Sequence, residues 1–289
     1  MKLEGKVAII TGGTKGIGLG IASEFVREGA KVAICSTTAA DGPKAVQELE
    51  SLGGEALYVR TDVSRLDEVR NLVESAVRRF GRLDIMVASA GINDPQKTHF
   101  LDITPDQYDR IMNVNLRGLF FCGQYAAREM VKEGHGGAIV NMSSVNAWLG
   151  LDSQVVYTTS KGGIQQLTKV EAIALSKYGI KVNAMAPGPI DTELMHRVGS
   201  DSQLMDTIIS RTPLGRLGTP RECGRLAVFL ACEDSDFIFG QSIYNDGGRS
   251  FQAFPTPGYK TVTDEDYDFL QKALAAKKSQ GGARVGDQS

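Results

Sequence analysis

The sequence has almost no net charge and no long apolar run. Its 289 residues include 32 basic and 34 acidic side chains, which leaves a formal net charge of −2. A balance so close to zero gives no indication of a nucleic-acid or membrane-surface partner. No apolar stretch reaches the roughly 20 residues that a membrane-spanning helix needs. The partner we expect is therefore a small molecule.

Cysteine is also scarce, and its spacing excludes two common uses. The four cysteines show neither the paired spacing of a zinc site nor a disulfide pattern: Cys35, Cys122, Cys223 and Cys232. We expect no metal, and a reducing cytoplasm is the simplest location. The chain opens directly into a strand-like segment, which leaves no room for a signal peptide.

A glycine-rich turn follows the first apolar segment. Residues 6–10 form a short run rich in branched side chains, which is typical of a buried parallel strand. Gly12, Gly16 and Gly18 come next, and the apolar side chains that follow have helical spacing. Glycines in such a turn let the backbone approach a pyrophosphate at a helix N-terminus. The alternative is an ordinary glycine-rich turn, because the spacing differs from the common G-x-G-x-x-G pattern.

A second group of reactive side chains lies near the middle of the chain. Tyr157 and Lys161 are four residues apart, so in a helix they project from the same face. A nearby ammonium favours the phenolate of tyrosine, whose free pKa is about 10. Ser144 arrives on a separate segment and is suited to hold a substrate oxygen while a proton moves. The alternative for the bare pair is a solvated helix face.

Strand-like and helix-like segments alternate along most of the chain. Further strands are predicted at 31–35, 56–59, 83–87, 138–142, 180–185 and 241–245. This alternation predicts an α/β fold built on a doubly wound parallel sheet of about seven strands. In such an open sheet, ligands bind at the carboxyl ends of the strands. We therefore expect the segments containing Gly12, Ser89, Ser144 and Pro187 to meet there.

Five landmarks in order make the chain resemble the short-chain dehydrogenase/reductase family over about residues 3–250. These are the glycine turn, the Asn-Val-Asn stretch ending at Asn115, the strand-like segment ending at Ser144, the Tyr157/Lys161 pair, and Pro187-Gly188, with Asp-Gly-Gly at 246–248 as the ending. The resemblance implies a single Rossmann-type catalytic domain over 1–250, followed by an extension over 251–289.

The resemblance also implies a mechanism: reversible hydride transfer between a nicotinamide and a secondary alcohol or carbonyl carbon. Tyr157 would be the acid or base, and Lys161 would lower the pKa of Tyr157 and hold the nicotinamide ribose. Ser144 would orient the substrate oxygen, and Asn115 would support a water leading protons towards Lys161. A non-catalytic dinucleotide-binding sensor is the alternative, but it has no need of all four side chains.

Cofactor contacts follow from the same resemblance. They are Gly12, Thr14, Lys15, Gly16, Ile17 and Gly18 in the glycine turn; Ser36 and Thr37 after the second strand; Asp62 and Val63 at the adenine; Ser89, Ala90 and Gly91 on the adenosine side; Tyr157 and Lys161; and Pro187, Gly188, Ile190 and Thr192 at the nicotinamide. For Asp62-Val63 a helix N-cap region is an equal alternative. The family often has Asn-Asn-Ala-Gly where this chain has Ala-Ser-Ala-Gly at 88–91.

Cofactor choice depends on the end of the second strand. An acidic residue there would bind the adenosine ribose and favour NAD(H), but the chain has hydroxyl side chains at Ser36, Thr37 and Thr38. In the family, a basic residue at the position of Lys15 is associated with the 2′-phosphate of NADP(H). We therefore favour NADP(H), with NAD(H) as the alternative; Lys15 is otherwise an exposed loop lysine.

The substrate wall in this family is formed by loops that here are mostly polar. The candidates are Asn93, Asn146 and Trp148, with Asp94, Asp152, Leu194, Met195 and His196 as further members. Their polarity favours a sugar, polyol or hydroxy-ketone. A β-ketoacyl carrier protein reductase is the alternative, for which Arg117 and Arg128 would be the nearest basic residues for an acidic partner.

The extension over 251–289 begins with a Pro-Thr-Pro-Gly break. Thr263 and the three acidic residues after it predict a capped helix, with Tyr267, Leu270 and Leu274 on one face. The end of the chain, from Ser279, is low in complexity. Because family members are commonly dimers or tetramers, we expect a homo-oligomer, with the extension over the substrate pocket or a subunit contact; a decorative surface helix is the alternative.

Overall fold

The computed structural model describes residues 1–193, 195 and 202–252. The predicted helix that begins near Thr263 and the substrate candidates Leu194 and His196 lie outside the described residues. The statements below concern the described ranges.

Seven parallel strands form one sheet, with the order β3-β2-β1-β4-β5-β6-β7. The strands are β1 (Val7–Thr11), β2 (Lys31–Ser36), β3 (Ala56–Arg60), β4 (Ile85–Ala88), β5 (Gly137–Met142), β6 (Ile180–Pro187) and β7 (Ser242–Asn245). The chain starts at the centre of the sheet, winds outwards to β3, and returns through β4 to the opposite edge. This order confirms the predicted doubly wound α/β fold, and each predicted strand lies within two residues of an observed one.

Eight α-helices are described. They are α1 (Gly16–Arg27), α2 (Asp41–Ser51), α3 (Leu66–Phe80), α4 (Pro105–Met112), α5 (Leu119–Glu133), α6 (Val155–Leu175), α7 (Ser202–Ser210) and α8 (Pro220–Ala231). Between α4 and α5, residues Asn113–Gly118 form a π-helical turn. Short 3₁₀ turns at Val145–Ala147 and Asp152–Gln154 connect β5 to α6.

Both faces of the sheet are buried, because helices cover each of them. In β1, Ala8 and Ile10 belong to the cluster packed under α1 and α8, whereas Ile9 belongs to the cluster under α3, α5 and α6. This alternation explains why the parallel strands read as continuous apolar runs. The carboxyl ends of the strands consequently remain the open edge.

Close helix packing also depends on small side chains. A Cβ at Gly20 of α1 would lie 2.5 Å from Cβ of Pro220, and one at Gly224 of α8 would lie 2.6 Å from the Gly20 carbonyl oxygen. Glycine at these positions lets α1 and α8 approach each other on one face of the sheet. Within the described ranges, no helix is both long and apolar enough to cross a membrane.

Candidate active site

The open edge of the sheet brings the predicted motifs together. The glycine turn follows β1, residues 89–91 follow β4, Ser144 lies just after β5, and Pro187 ends β6. A Cβ at Gly12 would lie 3.2 Å from Cα of Ala90, so the first and second of these segments are in contact. The expected meeting of sequence-distant segments at the carboxyl ends of the strands is therefore seen in the structure.

The glycine turn has the shape of an anion cradle. Gly12 and Gly16 have φ angles of +68° and +55°, which favour glycine. A Cβ at Gly18 would lie 2.2 Å from the Gly12 carbonyl oxygen, so only glycine fits between the turn and the start of α1. Ile17 is partly buried against the core under α1.

Thr14 gives a direct indication that this cradle is built for a ligand. Its side chain is only 6% exposed, and its Oγ1 has no hydrogen-bond partner among the described residues. An unpaired buried hydroxyl costs about 1–3 kcal/mol unless another group satisfies it. The donor set of the turn, backbone N–H groups at a helix N-terminus beside this hydroxyl, suits the pyrophosphate of a dinucleotide. The residues present therefore fit the cofactor that the fold implies.

Lys161 is a buried cation on α6. Its side chain is held by a hydrogen bond in which Nζ donates to the Met142 carbonyl oxygen at 2.8 Å. Nζ also lies 5.5 Å from the centroid of the Tyr157 ring, which is the shared face that the four-residue spacing predicted. Burial lowers the pKa of Lys161 to about 8.

The pKa of Tyr157 differs from the sequence-based expectation. Burial raises the pKa of the phenol, and hydrogen bonding with Ser144 opposes that rise without cancelling it. The expected lowering by Lys161 is therefore not found in the protein alone. The physical reason is that burial disfavours both the phenolate and the ammonium. In addition, the Lys161 ammonium donates a hydrogen bond to the Met142 carbonyl oxygen.

Asn115 is fully buried in the π-helical turn. Its Oδ1 accepts from the backbone N–H of Ile92 at 2.8 Å, and its Nδ2 donates to the Ile92 carbonyl oxygen at 2.8 Å. Nδ2 also donates to Oγ of Ser160 at 3.1 Å, and that hydroxyl donates to the Tyr157 carbonyl oxygen at 2.6 Å. Asn115 thus connects the loop after β4 with the first turns of α6, where Tyr157 lies.

Asn115 and Lys161 both approach Gly91. A Cβ there would lie 3.4 Å from Oδ1 of Asn115 and 3.5 Å from Nζ of Lys161. The amide and the ammonium therefore border the same small space beside the chain.

Ser144 is buried at the start of the 3₁₀ turn after β5. Its Oγ accepts from the backbone N–H of Asn146 at 3.1 Å, which leaves its own proton to donate. The neighbouring Ser143 has a different part: its Oγ donates to the Lys161 carbonyl oxygen at 3.1 Å and ties β5 to α6. Of these two serines, Ser144 is the one whose side chain is hydrogen-bonded with Tyr157.

Thr11 is a supporting residue that the sequence reasoning missed. Its Oγ1 accepts from the backbone N–H groups of Ser89 and Ala90, at 2.9 and 3.0 Å. The loop where the family often has two asparagines is thus braced through its backbone by a hydroxyl at the end of β1. A polar residue closing an otherwise apolar strand, directly before Gly12, was the available signal.

The predicted adenosine end lies where β2 and β3 end. Oγ of Ser36 donates to the Thr38 carbonyl oxygen at 3.2 Å, and Thr37 is exposed. Nζ of Lys15 lies 3.7 Å from Oδ2 of Asp41. Lys15 and Thr37 are therefore exposed, whereas Ser36 is partly buried.

Asp62 and Val63 follow β3. The Asp62 carboxylate accepts from the backbone N–H and from Oγ of Ser64, at 2.9 and 2.7 Å, and Val63 is buried in the core. The N-cap of α3 is Arg65, so Asp62 closes a turn before the helix without capping it.

The loop after β6 lies beside the glycine turn. The backbone N–H of Gly188 donates to the Asn245 carbonyl oxygen at 3.0 Å, while Pro187 and Ile190 are buried. A Cβ at Gly16 would lie 3.4 Å from Cγ2 of Thr192. Oγ1 of Thr192 accepts from the backbone N–H of Met195 at 3.3 Å. The predicted nicotinamide loop is therefore in contact with the predicted pyrophosphate turn.

The substrate candidates occupy different places. Asn93 and Asn146 are partly buried in the loops after β4 and β5, whereas the Asp94 carboxylate accepts from backbone N–H groups of its own loop, Gln96 and Thr98. Trp148 is 71% exposed and lines a cleft of about 370 Å³ with side chains of α6 and β7. Among the described residues, the lining of that cleft includes none of the four predicted catalytic residues.

Comparison with known proteins agrees with this geometry. Residues 12–250 match the family described as enoyl-(acyl carrier protein) reductase. An L-rhamnose 1-dehydrogenase (NAD(P)(+)) from Sphingomonas sp. (strain SKA58) is 40% identical over 248 residues, covering 85% of this chain and 96% of that protein. An L-rhamnose-1-dehydrogenase from Scheffersomyces stipitis is 40% identical over 250 residues, with the same coverage of 85% and 96%.

A solved structure extends the similarity to three dimensions. A short-chain type dehydrogenase/reductase from Mycobacterium marinum superposes with a TM-score of 0.82 at 34% identity, covering 87% of this chain and 98% of that one. The order of the motifs, the sheet topology and the similarity to known proteins therefore all indicate the same family over residues 12–250. The chain belongs to the short-chain dehydrogenase/reductase family of NAD(P)-dependent oxidoreductases.

Proposed function

We propose that this protein is a dehydrogenase that oxidises a secondary alcohol of a small sugar, with Tyr157 as the proton-transfer residue. The observation that carries the proposal is a chain of contacts among four polar side chains at the open edge of the sheet. Ser144 is hydrogen-bonded with Tyr157, Nζ of Lys161 lies 5.5 Å from the centroid of the Tyr157 ring, and Lys161 and Asn115 both approach Gly91. A non-catalytic sensor would need the glycine turn, but it would not need these four connected polar groups.

Each residue has a defined part in the proposed reaction. Thr14 and the backbone N–H groups of the glycine turn would hold NAD(P)+, which would supply the acceptor for the hydride that leaves the alcohol carbon. Tyr157 takes the hydroxyl proton, so the substrate loses a hydride and a proton and becomes a carbonyl compound. Ser144 donates a hydrogen bond to the substrate oxygen, and Asn115 supports a water that leads protons towards Lys161.

The choice of a sugar rests on the relatives and on the polarity of the loops. Two relatives at 40% identity are named for L-rhamnose oxidation, and Asn93 and Asn146 are amide side chains suited to hydroxyl groups. The carrier-protein alternative has less support, because its candidate arginines lie on aromatic rings. Arg117 stacks on Phe121 at 5.4 Å and Arg128 on Tyr125 at 5.8 Å.

The test follows cofactor absorbance with a panel of aldoses, including L-rhamnose, and simple secondary alcohols and β-ketoacyl thioesters. NAD+ and NADP+ are compared in parallel, and the predicted preference for NADP(H) stays a prediction until then. We expect turnover of at least one sugar, lost by more than a hundredfold in Tyr157→Phe. Turnover of thioesters alone, or none at all with cofactor bound, would contradict the proposal.

The proposal includes self-association. The outer faces of α5 and α6 expose Phe120, Val170 and Ile173, which we call the α5/α6 patch; these side chains are 39%, 54% and 76% exposed. The two helices are neighbours, since a Cβ at Gly123 of α5 would lie 2.9 Å from the Glu171 carboxylate of α6. A homodimer or homotetramer that covers this patch would remove the apolar surface from water.

A further inference from the structure

The rim of the glycine turn contains an ion pair that bears on cofactor choice. Nζ of Lys15 lies 3.7 Å from Oδ2 of Asp41, and the two side chains are 65% and 35% exposed. Asp41 is the first residue of α2, five positions beyond Ser36, the last residue of β2. No acidic residue ends the second strand, but an acidic side chain from the following helix lies beside the basic residue of the turn.

The position of Lys15 is set by the backbone. Lys15 is the N-cap residue of α1 with an extended conformation (φ −160°, ψ 168°), and Gly16 follows with a left-handed φ. The side chain extends towards the first residue of α2, as the ion pair with Asp41 shows. Its ammonium stands where the predicted pyrophosphate turn meets the loop after β2.

The position of Asp41 is built as well. The loop between β2 and α2 is tied to β3 by Tyr58, whose hydroxyl donates to the Thr38 carbonyl oxygen at 3.1 Å. The backbone N–H of Asp41 donates to the same Thr38 carbonyl oxygen at 3.2 Å. A Cβ at Gly42 would lie 2.3 Å from the Tyr58 ring, so the ring packs directly under the start of α2. The fold consequently fixes the backbone from which the Asp41 carboxylate reaches Lys15.

The ion pair with Asp41 changes how strongly Lys15 can favour NADP(H) over NAD(H). A free ammonium at the turn would attract a 2′-phosphate, which carries about −1.5 to −2 charges near pH 7. Asp41 offsets that attraction and repels the phosphate, while its oxygens can accept a hydrogen bond from an unphosphorylated ribose hydroxyl. Both charges are exposed to water, so their effect on affinity is moderate and depends on salt.

We propose that Asp41 is a specificity-determining residue. Its carboxylate offsets the positive charge of Lys15, so that the chain accepts both NAD(H) and NADP(H). The inference rests on the proposed use of a nicotinamide cofactor. It does not depend on which alcohol is oxidised, because cofactor binding is measured without substrate.

The experiment measures equilibrium binding of NADH and NADPH to the full chain by the fluorescence of the reduced nicotinamide. We expect Asp41→Asn to tighten NADPH binding about five- to tenfold and to change NADH binding less than threefold in either direction. Lys15→Gln should weaken NADPH about tenfold. In the Lys15→Gln background, the effect of Asp41→Asn on NADPH should be at most half as large on a logarithmic scale, and all these differences should shrink at 0.5 M salt.

Asp67→Asn is the matched control, because it removes the same charge from the first turn of another helix, α3, at an exposed position. Asp41→Ser repeats the test with a second side chain that suits a helix start. An NADPH to NADH affinity ratio that stays within twofold of wild type in both Asp41 variants would overturn the inference, as would an equal shift in the control. Normal cofactor binding without sugar turnover would count against the proposed function alone. If neither cofactor binds, the result would count against both the proposed function and the role of Asp41.

Discussion

At the scale of single residues, Lys161 combines a functional position with an energetic cost. The side chain is 3% exposed, its one described hydrogen bond goes to the Met142 carbonyl oxygen, and its pKa is lowered from the usual 10.5 to about 8. Between these two pH values the unfolded chain binds more protons than the folded one. The free energy of unfolding therefore rises with pH across this window. Below pH 8 the folded protein carries the full cost of burying the charged Lys161 ammonium, about 3 kcal/mol.

We expect Lys161→Met to be more stable than wild type at pH 7 by about 1 kcal/mol, because part of the relief is offset by the Met142 oxygen that loses its donor. The stability difference should move in favour of wild type as the pH rises from 8 to 10.5. Urea unfolding at pH 7 and pH 10 checks both statements. Activity should fall more than a hundredfold; a variant that is less stable than wild type by the same amount at both pH values would contradict the account.

The residues predicted from the sequence are those whose type is dictated by the chemistry. Tyr157, Lys161, Ser144 and Asn115 stand in spacings that a family motif records, and the structure brings all four together. Thr11 was missed because it acts through backbone N–H groups of a segment 78 residues away, and no local pattern encodes such a contact. The raised pKa of Tyr157 was missed because burial depends on packing, which sequence spacing does not reveal.

At the scale of secondary-structure elements, the glycine turn is limited by backbone contact. A Cβ at Gly18 would lie 2.2 Å from the Gly12 oxygen and 2.8 Å from the Gly12 carbonyl carbon, and neither atom can yield by a side-chain rotation. We expect Gly18→Ala to lower the free energy of unfolding by about 1–3 kcal/mol and to weaken cofactor binding more than tenfold.

Urea unfolding and titration with reduced cofactor measure the two effects of Gly18→Ala. Gly150→Ala is the control, since a Cβ at Gly150 meets no atom within 4 Å and its φ is not positive. Cofactor binding by Gly18→Ala that equals wild type would show that the turn tolerates a shift and that its shape is not the requirement we infer.

The contact between α5 and α6 contains a second titratable group with a shifted pKa. Glu171 accepts from Nδ2 of Asn141 at 2.7 Å, and burial raises its pKa from the usual 4.5 to about 7, with the Asn141 hydrogen bond opposing. Because the folded pKa is the higher one, the stabilising contribution of this group is complete below pH 4.5 and is lost as the pH rises through 7.

Glu171→Gln should therefore match wild type near pH 4.5 and exceed it by about 2 kcal/mol at pH 8. Thermal or urea unfolding at the two pH values measures the difference, with Glu74→Gln as the control, whose side chain is 57% exposed. A stability gain that is equal at both pH values would show that packing, and not the charge of Glu171, is responsible.

Element boundaries show where sequence patterns are informative. The strands were predicted to within two residues because buried parallel strands are short runs of branched apolar side chains between glycine-rich turns. The π-helical turn at Asn113–Gly118 was not predicted, since its extra residue per turn is stabilised by the bonds of Asn115 to Ile92 and has no periodic signature.

At the scale of the whole molecule, the remaining question is what covers the exposed apolar side chains of the α5/α6 patch. Ile173 is 76% exposed on the same helix that carries Tyr157 and Lys161 at its other end. A subunit contact there would clamp α6 and thus support the catalytic residues from outside.

We expect the full chain to sediment as a dimer or tetramer and Ile173→Asp to shift it towards smaller species, because a buried carboxylate in an apolar contact is strongly disfavoured. Leu101→Asp is the control: Leu101 is 80% exposed in the 3₁₀ turn Phe100–Asp102, which belongs to neither α5 nor α6, so this variant should assemble like wild type. Sedimentation velocity at several concentrations makes the measurement. A monomeric wild type, or an Ile173→Asp variant that assembles unchanged, would mean that the α5/α6 patch is not the contact between subunits.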